Sequence, residues 1–277
     1  MPVPATRPHV VETMTSLLIV ILLGIVEGIT EFLPVSSTGH LIITGHLVGF
    51  TGPKADAFEV IIQLGAILAV VVLYRSRFTG LATLHESSGF TGRRGLFLLF
   101  LTTLPAAIAG LLLHGFIKSQ LFHPRPVALA LGVGALAILL VESLPRTRRC
   151  SSLDQLTPLA ALGVGCFQCL ALWPGFSRAA ATIMGGMVLG LPRRLAAEYS
   201  FIAAVPLMFA ATGYDLLKTW SLFRVEDFTL LFVGFMISFV MAGLAVKTFI
   251  AVLGRVTLRP FAYYRLLLAP LVLWIWT

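Results

Sequence analysis

The sequence predicts an all-α polytopic membrane protein with an inverted-topology repeat: six transmembrane spans plus two re-entrant broken-helix hairpins, about ten helical segments. Three observations predict it. Of the 277 residues, 58% are hydrophobic and only 12% charged, with a mean hydropathy of +0.96, a composition foreign to soluble globular chains. The apolar runs are of two kinds, six long enough to cross a hydrocarbon core of about 30 Å and four too short. Proline interrupts the short runs, at Pro34 and at Pro174-Gly175.

The elements follow in order. Residues 1 to 13 read as a polar lead-in. The run from Met14 to Val26 has thirteen residues, roughly 20 Å as a helix, so it cannot cross unaided. It imitates a signal peptide but lacks a small-residue cleavage site, and an acidic motif follows directly, so it is read as retained. The piece after Pro34, Leu41 to Phe50, is shorter still, which makes residues 14–50 a hairpin with its tip inside the membrane. Irregular backbone at that depth must be buried in protein or line a wet cavity. Three spans come next: about Ala57 to Tyr74, Gly95 to Ile117 and Val127 to Leu144. A second hairpin, Pro158 to Trp173 and Ala179 to Leu191, breaks at Pro174-Gly175. Spans at about Tyr199 to Leu217, Phe228 to Val246 and Pro260 to Trp276 close the chain. Residues 1–277 form one membrane domain with no linker long enough to divide it.

The net charge of +8 does not indicate nucleic acid, because there is no basic domain or tail and the arginines fall between apolar runs. They set topology instead. Arg75, Arg77, Arg93, Arg94, Arg146, Arg148, Arg149, Arg193, Arg194, Lys247, Arg255 and Arg259 collect on one side. The other side receives half as many: Arg7, Lys54, Lys118, Arg125, Lys218 and Arg224. The positive-inside rule makes the richer side cytoplasmic. Each half is then hairpin plus three spans, entered from opposite faces: repeat one at about 14–144 and repeat two at about 156–276. Glu27 and Gln168, Pro34 and Pro174, and Glu59 and Glu198 recur at nearly constant offset. The two tips are expected to meet near mid-membrane. Glu59, Gln63 and Glu198 read as structural partners across the repeat, Arg265 as snorkelling or stacking beside Tyr263 and Tyr264, and Cys166 and Cys169 as packing residues in an apolar helix.

The stretch from Glu27 to Leu41, EGITEFLPVSSTGHL, carries the chemistry. Ionisable groups at membrane depth are costly and mark functional sites. Glu27 and Glu31 share a helix face, Pro34 ends that helix, and Ser36, Ser37 and Thr38 are N-cap candidates for the next. A helix restarting inside the membrane aims free N–H groups at the break, a ready site for an anion. Leu172 to Thr182, LWPGFSRAAAT, supplies the second tip and Arg178, whose planar fork suits phosphate.

These two stretches resemble the two signatures of the bacterial undecaprenyl-diphosphate phosphatase family, integral membrane enzymes also known for bacitracin resistance. The likeness extends from about Leu17 to Tyr264, through FEVIIQLGAILAVVVL and GCFQCLALWPGFSR. One position departs: the family usually has a hydroxyl after the arginine, where this chain has Ala179. The resemblance implies hydrolysis of undecaprenyl diphosphate to undecaprenyl phosphate and inorganic phosphate, recycling the carrier lipid of peptidoglycan synthesis. It implies a cytoplasmic (inner) membrane location, a site facing the periplasm, and stimulation by Mg2+ or Ca2+. Glu27 and Glu31 would be the metal ligands, although two carboxylates are not a complete cage.

In such a reaction Arg178 holds phosphate charge, and Glu27 or Glu31 serves as base or orients His40. Backbone N–H groups after Pro34 and Gly175 add stabilisation at the tips, with Ser36, Thr38 and Gly39 on the first and Gly175, Ser177 and Thr182 on the second. Ser37 and His40, three apart on one helix face, suit a serine nucleophile with an assisting base; attack by His40 itself or by water stays open. The opposing class is a transporter or flippase of polyprenyl phosphate, with or without ion coupling, since inverted repeats with broken helices are a transporter architecture. A homodimer is compatible with the chain, and nothing in the sequence requires one.

Overall fold

The structure, a computed structural model, describes residues 9–83, 89–145 and 150–276, with side chains from Ser16 onward in the first helix. Of the charges that orient the chain, Arg7, Arg146, Arg148 and Arg149 lie outside the described residues. Eleven α-helices and no strand occur among the described residues. The first hairpin is α1 (His9–Thr30) and α2 (Ser37–Val48). Then come α3 (Pro53–Leu73), a short α4 (Arg75–Ala82), α5 (Gly92–Phe116) and α6 (Pro124–Ser143). The second hairpin is α7 (Pro158–Gln168), continued by a 3-10 turn at Cys169–Leu172, and α8 (Arg178–Val188). The chain closes with α9 (Arg193–Thr219), α10 (Phe228–Val252) and α11 (Arg259–Trp276).

The chain is a polytopic membrane protein. The helices α3, α6 and those running through Gly92–Leu121, Arg193–Leu222 and Val225–Val252 are long and apolar enough to cross a membrane. The sixth expected span, α11, has 18 residues, and Arg259 and Arg265 lower its hydropathy. The incoming arm of the second hairpin, Pro158–Leu172, is too short to cross as expected, whereas α1, expected to be too short, runs 22 residues from His9 to Thr30, about 33 Å at 1.5 Å per residue.

Three boundaries differ from expectation. Helix α1 begins at His9, inside the stretch read as lead-in, because a nucleated helix propagates cheaply into flanking polar residues. Helix α2 starts at Ser37 rather than Leu41, since the Ser36 hydroxyl caps it directly. Helix α4 occupies what read as a loop: Tyr74, at φ −103 and ψ 25, bends the chain out of α3, and the helix restarts at once. Cys150, Cys166 and Cys169 are free thiols.

Helix α10 lies against α1 and α3, and α11 against α6 and α2. Small residues permit the first of these contacts: a Cβ on Gly28 would fall 2.6 Å from the Ser238 carbonyl oxygen, and one on Gly65 would overlap that of Phe235. The largest core cluster surrounds α8, which is buried from Ala179 to Met187 by α7, α9 and α6.

At the end of the bundle away from the tips, Glu142 of α6 joins three elements. Its carboxylate accepts from Arg193 Nε at 2.7 Å and Nη2 at 2.5 Å, and from the Leu258 N–H at 2.9 Å. The Glu142 side chain is fully buried while that of Arg193 is 30% exposed, so removing the arginine takes a two-point cationic partner from a buried carboxylate. Arg193→Ala is expected to destabilise the protein by about 3 kcal/mol, read as a lower denaturation midpoint in detergent.

Candidate active site

Both tips are built the same way. Pro34 and Pro174-Gly175 end the incoming arm, and a serine restarts the helix from a backbone conformation that side chains rarely adopt. Ser36 has φ 73 and Ser177 φ 75, the two positive-φ residues other than glycine among those described. Each caps its helix: Ser36 Oγ accepts from the Gly39 N–H at 3.4 Å, and Ser177 Oγ from the Ala180 N–H at 3.2 Å. Gly175, at φ 97, has no alternative, for a Cβ there would lie 2.5 Å from the Val127 carbonyl oxygen of α6.

The residue after each cap opens a helix and faces the other tip. In α2 it is Ser37 and in α8 it is Arg178. A single carboxylate joins them. Ser37 Oγ donates to Glu31 Oε2 at 2.6 Å, and Arg178 Nη2 donates to Glu31 Oε1 at 3.0 Å. Arg178 also donates from Nη1 to the Ser200 carbonyl at 3.3 Å and lies over the Phe32 ring, 5.1 Å from its centroid. Its Nε–H is buried without a partner, and an unmet buried donor on a cation is a demand for an anion.

A cavity of about 190 Å3 lies where the tips meet, lined by Glu31, Ser36, Ser37, Thr38, Gly175, Ser177 and Arg178, with Pro174, Ala171, Gln63 and Met208. Pockets for drug-sized ligands run to about 300–1,000 Å3, so this one suits a small head group. It opens onto the first turns of α2 and α8 at once, two helix N-termini converging on one anion-sized space.

The remaining candidates stand elsewhere. Glu27 is 1% exposed, one turn before Glu31, and neither carboxylate oxygen has a hydrogen-bond partner. Gly39 is buried and serves the Ser36 cap. Thr182 shares its hydroxyl with the Arg178 carbonyl at 2.8 Å and Ser200 Oγ at 2.6 Å, outside the cavity lining. His40 lies on the same helix as Ser37 but is bonded away from it. Its Nδ1–H donates to the Ser36 carbonyl at 2.7 Å, which leaves Nε2 to accept the Tyr264 hydroxyl proton at 2.6 Å, and the two rings stack at 5.5 Å.

Two polar residues take roles other than those expected of them. Gln63 lines the cavity instead of reaching across the repeat, and Glu198 pairs within its own helix with Arg194 at 3.1 Å. Arg265 does not snorkel: it is fully buried behind the tips, and the ring it lies over is that of Phe176, 6.0 Å from its centroid. Its depth within an apolar run was a readable signal of function, whereas nothing local pointed to Tyr264.

The fold and site define an all-helical membrane protein whose two broken helices close on a hydroxyl-lined cavity holding an arginine–carboxylate pair and two helix N-termini, features that suit an anionic head group. Residues 20–271 match the family described as bacitracin resistance protein BacA. The chain is 68% identical over 264 residues to an undecaprenyl-diphosphatase of Maridesulfovibrio salexigens, covering 95% of this chain and 100% of that one. It is 63% identical over 259 residues to one of Nitratidesulfovibrio vulgaris, 94% and 98% covered, and 48% identical over 256 residues to undecaprenyl-diphosphatase 1 of Bacillus thuringiensis, 92% and 97% covered. The chain therefore belongs to the BacA bacitracin resistance family.

The positive φ at Ser36 separates two effects of substitution. Ser36→Ala and Ser36→Gly both lose the capping hydroxyl, but only glycine relaxes the backbone. The alanine variant is expected to be less stable than the glycine variant by about 1 kcal/mol, a difference that thermal unfolding of the two purified variants measures.

Proposed function

We propose that this chain hydrolyses undecaprenyl diphosphate to undecaprenyl phosphate and inorganic phosphate, the activity for which its relatives are named. The observation that carries the mechanism is the Ser37–Glu31–Arg178 chain of hydrogen bonds across the two tips. Ser37 Oγ attacks the terminal phosphorus, Glu31 Oε2 takes its proton, and the bond from that phosphorus to the bridging oxygen breaks, so that undecaprenyl phosphate leaves. Water then cleaves the phosphoserine and releases inorganic phosphate. Positioned proton transfer of this kind is worth about 10²–10⁴-fold. Arg178, with its unpartnered Nε–H, and the N–H groups of both helix starts hold the charge of the transferred group. Every residue named comes from one chain.

The carboxylates also suit a hard divalent cation. Glu27 offers two buried oxygens without hydrogen-bond partners, one turn from Glu31, and oxygen donors of this kind are what Mg2+ and Ca2+ take. No group of three or more His, Cys, Asp or Glu that could hold a metal occurs among the described residues, so Glu27 and Glu31 would be the residues to hold such an ion. Bound there, it supplies neutralisation of phosphate charge.

Membership of the family supports a cytoplasmic-membrane location, the Lys and Arg distribution supports both termini outside, and we assign the cavity mouth to the periplasmic side. The matched tips support an inverted repeat of residues 14–144 and 156–276. The transporter reading draws on the same architecture, and release of phosphate by purified protein in detergent decides between them: lipid movement without phosphate release rejects hydrolysis. Thr38→Cys in whole cells is expected to react with a membrane-impermeant thiol reagent added outside; protection there, with reaction in inverted vesicles, reverses the assignment.

Ser37→Ala and Arg178→Ala are each expected to lower kcat/KM by about 10²–10³-fold with the fold retained. His40→Ala is expected to lose less, because both imidazole nitrogens are bonded outside the Ser37–Glu31 pair. Trapping with labelled substrate is expected to place phosphate on Ser37; label on His40 rejects the serine route.

A further inference from the structure

The buried Arg265 of α11 has an unusual set of partners. Its Nε–H donates to the Leu131 carbonyl at 3.2 Å, Nη1 to those of Pro34 at 3.3 Å and Phe176 at 2.8 Å, and Nη2 to those of Ala130 and Gly175 at 3.1 Å each. A guanidinium has five N–H donors in a fixed plane, and here each has its own backbone acceptor. No carboxylate pairs with it among the described residues. The acceptors come from three segments: the first tip, the second tip and the helix α6 on which both rest.

Their placement relative to the strained serines is informative. Pro34 precedes Ser36 by two residues and Phe176 directly precedes Ser177, the two residues held at positive φ. Such conformations cost about 1–3 kcal/mol each and persist only where the surroundings over-determine them. A trans peptide points its N–H opposite to its carbonyl, so fixing the Phe176 carbonyl on Arg265 turns the Ser177 N–H away from it. Arg265 does not line the cavity, while Ser36, Ser37, Ser177 and Arg178 do.

We propose that Arg265 is a positioning residue for the reaction: by holding the carbonyls of both tips in one plane of donors, it sets the distance and orientation between Ser37 and Arg178. Lysine cannot replace it, since an ammonium presents three donors from one point and cannot span three segments. The inference rests on the hydrolase reading of the same site.

Gly134 of α6 provides a way to move the guanidinium without removing it. A Cβ there would overlap Arg265 Nη2 and lie 2.9 Å from Cζ, while alanine is otherwise favourable within a helix. The experiment uses full-length protein in detergent: wild type, Arg265→Lys, Gly134→Ala and the double variant. Measured are kcat per folded molecule, the thermal midpoint, and affinity for inorganic phosphate. Each single variant is expected to lose about tenfold or more in kcat and to bind phosphate more weakly, the scale on which small misplacements act. The double variant is expected to be no worse than Arg265→Lys alone, because both changes remove one contact set.

A purely structural role lowers the midpoint and leaves kcat per folded molecule within about threefold of wild type, by the usual reading of variant kinetics; that result overturns the proposal. So does additive loss in the double variant, or failure of every variant to fold. Wild type that binds phosphate but releases none from the diphosphate lipid rejects the hydrolase reading instead, and the phosphate affinity of Gly134→Ala then decides the role of Arg265: unchanged affinity overturns it.

Discussion

The requirement that every backbone polar group be satisfied without water governs this molecule more than any other constraint. A helix inside hydrocarbon meets it alone, but a helix that stops there does not. This chain stops helices twice, at Pro34 and at Pro174-Gly175, and must find partners for the groups it frees. The N–H groups at the restarting helices take the Ser36 and Ser177 hydroxyls and face a cavity. Carbonyls left on the far side, at Pro34, Gly175 and Phe176, take the guanidinium of Arg265. The tips are thus polarised, with donors toward the cavity and acceptors toward a buried cation. An anion site is the product of that arrangement, since the donors that remain converge on one space.

Much of this was legible. Proline cannot sit inside a short apolar run without ending it, so the breaks at Pro34 and Pro174 located both tips before any coordinates. The carboxylates, hydroxyls and arginine beside them named most of the cavity lining, because ionisable groups at that depth have few other reasons to be there. What sequence did not carry was partnership over distance. His40 and Ser37 share a helix face, which brings them near each other, yet the imidazole is claimed by Tyr264, 224 residues away. Periodicity says which residues can meet within a helix and is silent about which third group outbids the neighbour. Arg265 was visible as a charge in an apolar run, but its acceptors are main-chain carbonyls, and these leave no mark on the sequence. Gln63 sits on a helix read correctly as a span, and only the packing of α3 against α1, α9 and α10 turns it toward the cavity. Helix α4 depended on the dihedral angles at Tyr74, a tertiary outcome.

The two tips share a backbone design and differ in one slot. In each, a serine at positive φ is followed by the residue that opens the helix, and this slot holds Ser37 in the first tip and Arg178 in the second. If the halves are a repeat, one template has supplied both the hydroxyl proposed to attack and the cation proposed to receive the phosphate. Their separation is then fixed by how the tips dock, and docking is fixed by elements outside the cavity: α6 beneath, against which Gly175 can rest for want of a Cβ, and α11 behind. Catalytic geometry in such a protein is set by packing at a distance from the chemistry, where small misplacement is costly.

On the mechanism proposed above, Glu31 ties capture of the phosphate to activation of the serine. Its two oxygens are engaged from opposite tips, one by Arg178 and one by Ser37. On that mechanism a phosphate oxygen reaches Arg178 through its Nε–H, the donor without a partner, and so arrives within reach of Ser37. The carboxylate keeps its bond to the serine while it shares the cation with the incoming anion, which leaves it better able to accept the serine proton as the hydroxyl attacks. Charge-assisted hydrogen bonds of this kind are strong and short, and a guanidinium has enough donors to hold the carboxylate and the phosphate together. A serine proposed to act this way is engaged with its base from the outset, and the arriving anion is what completes the charge arrangement around it.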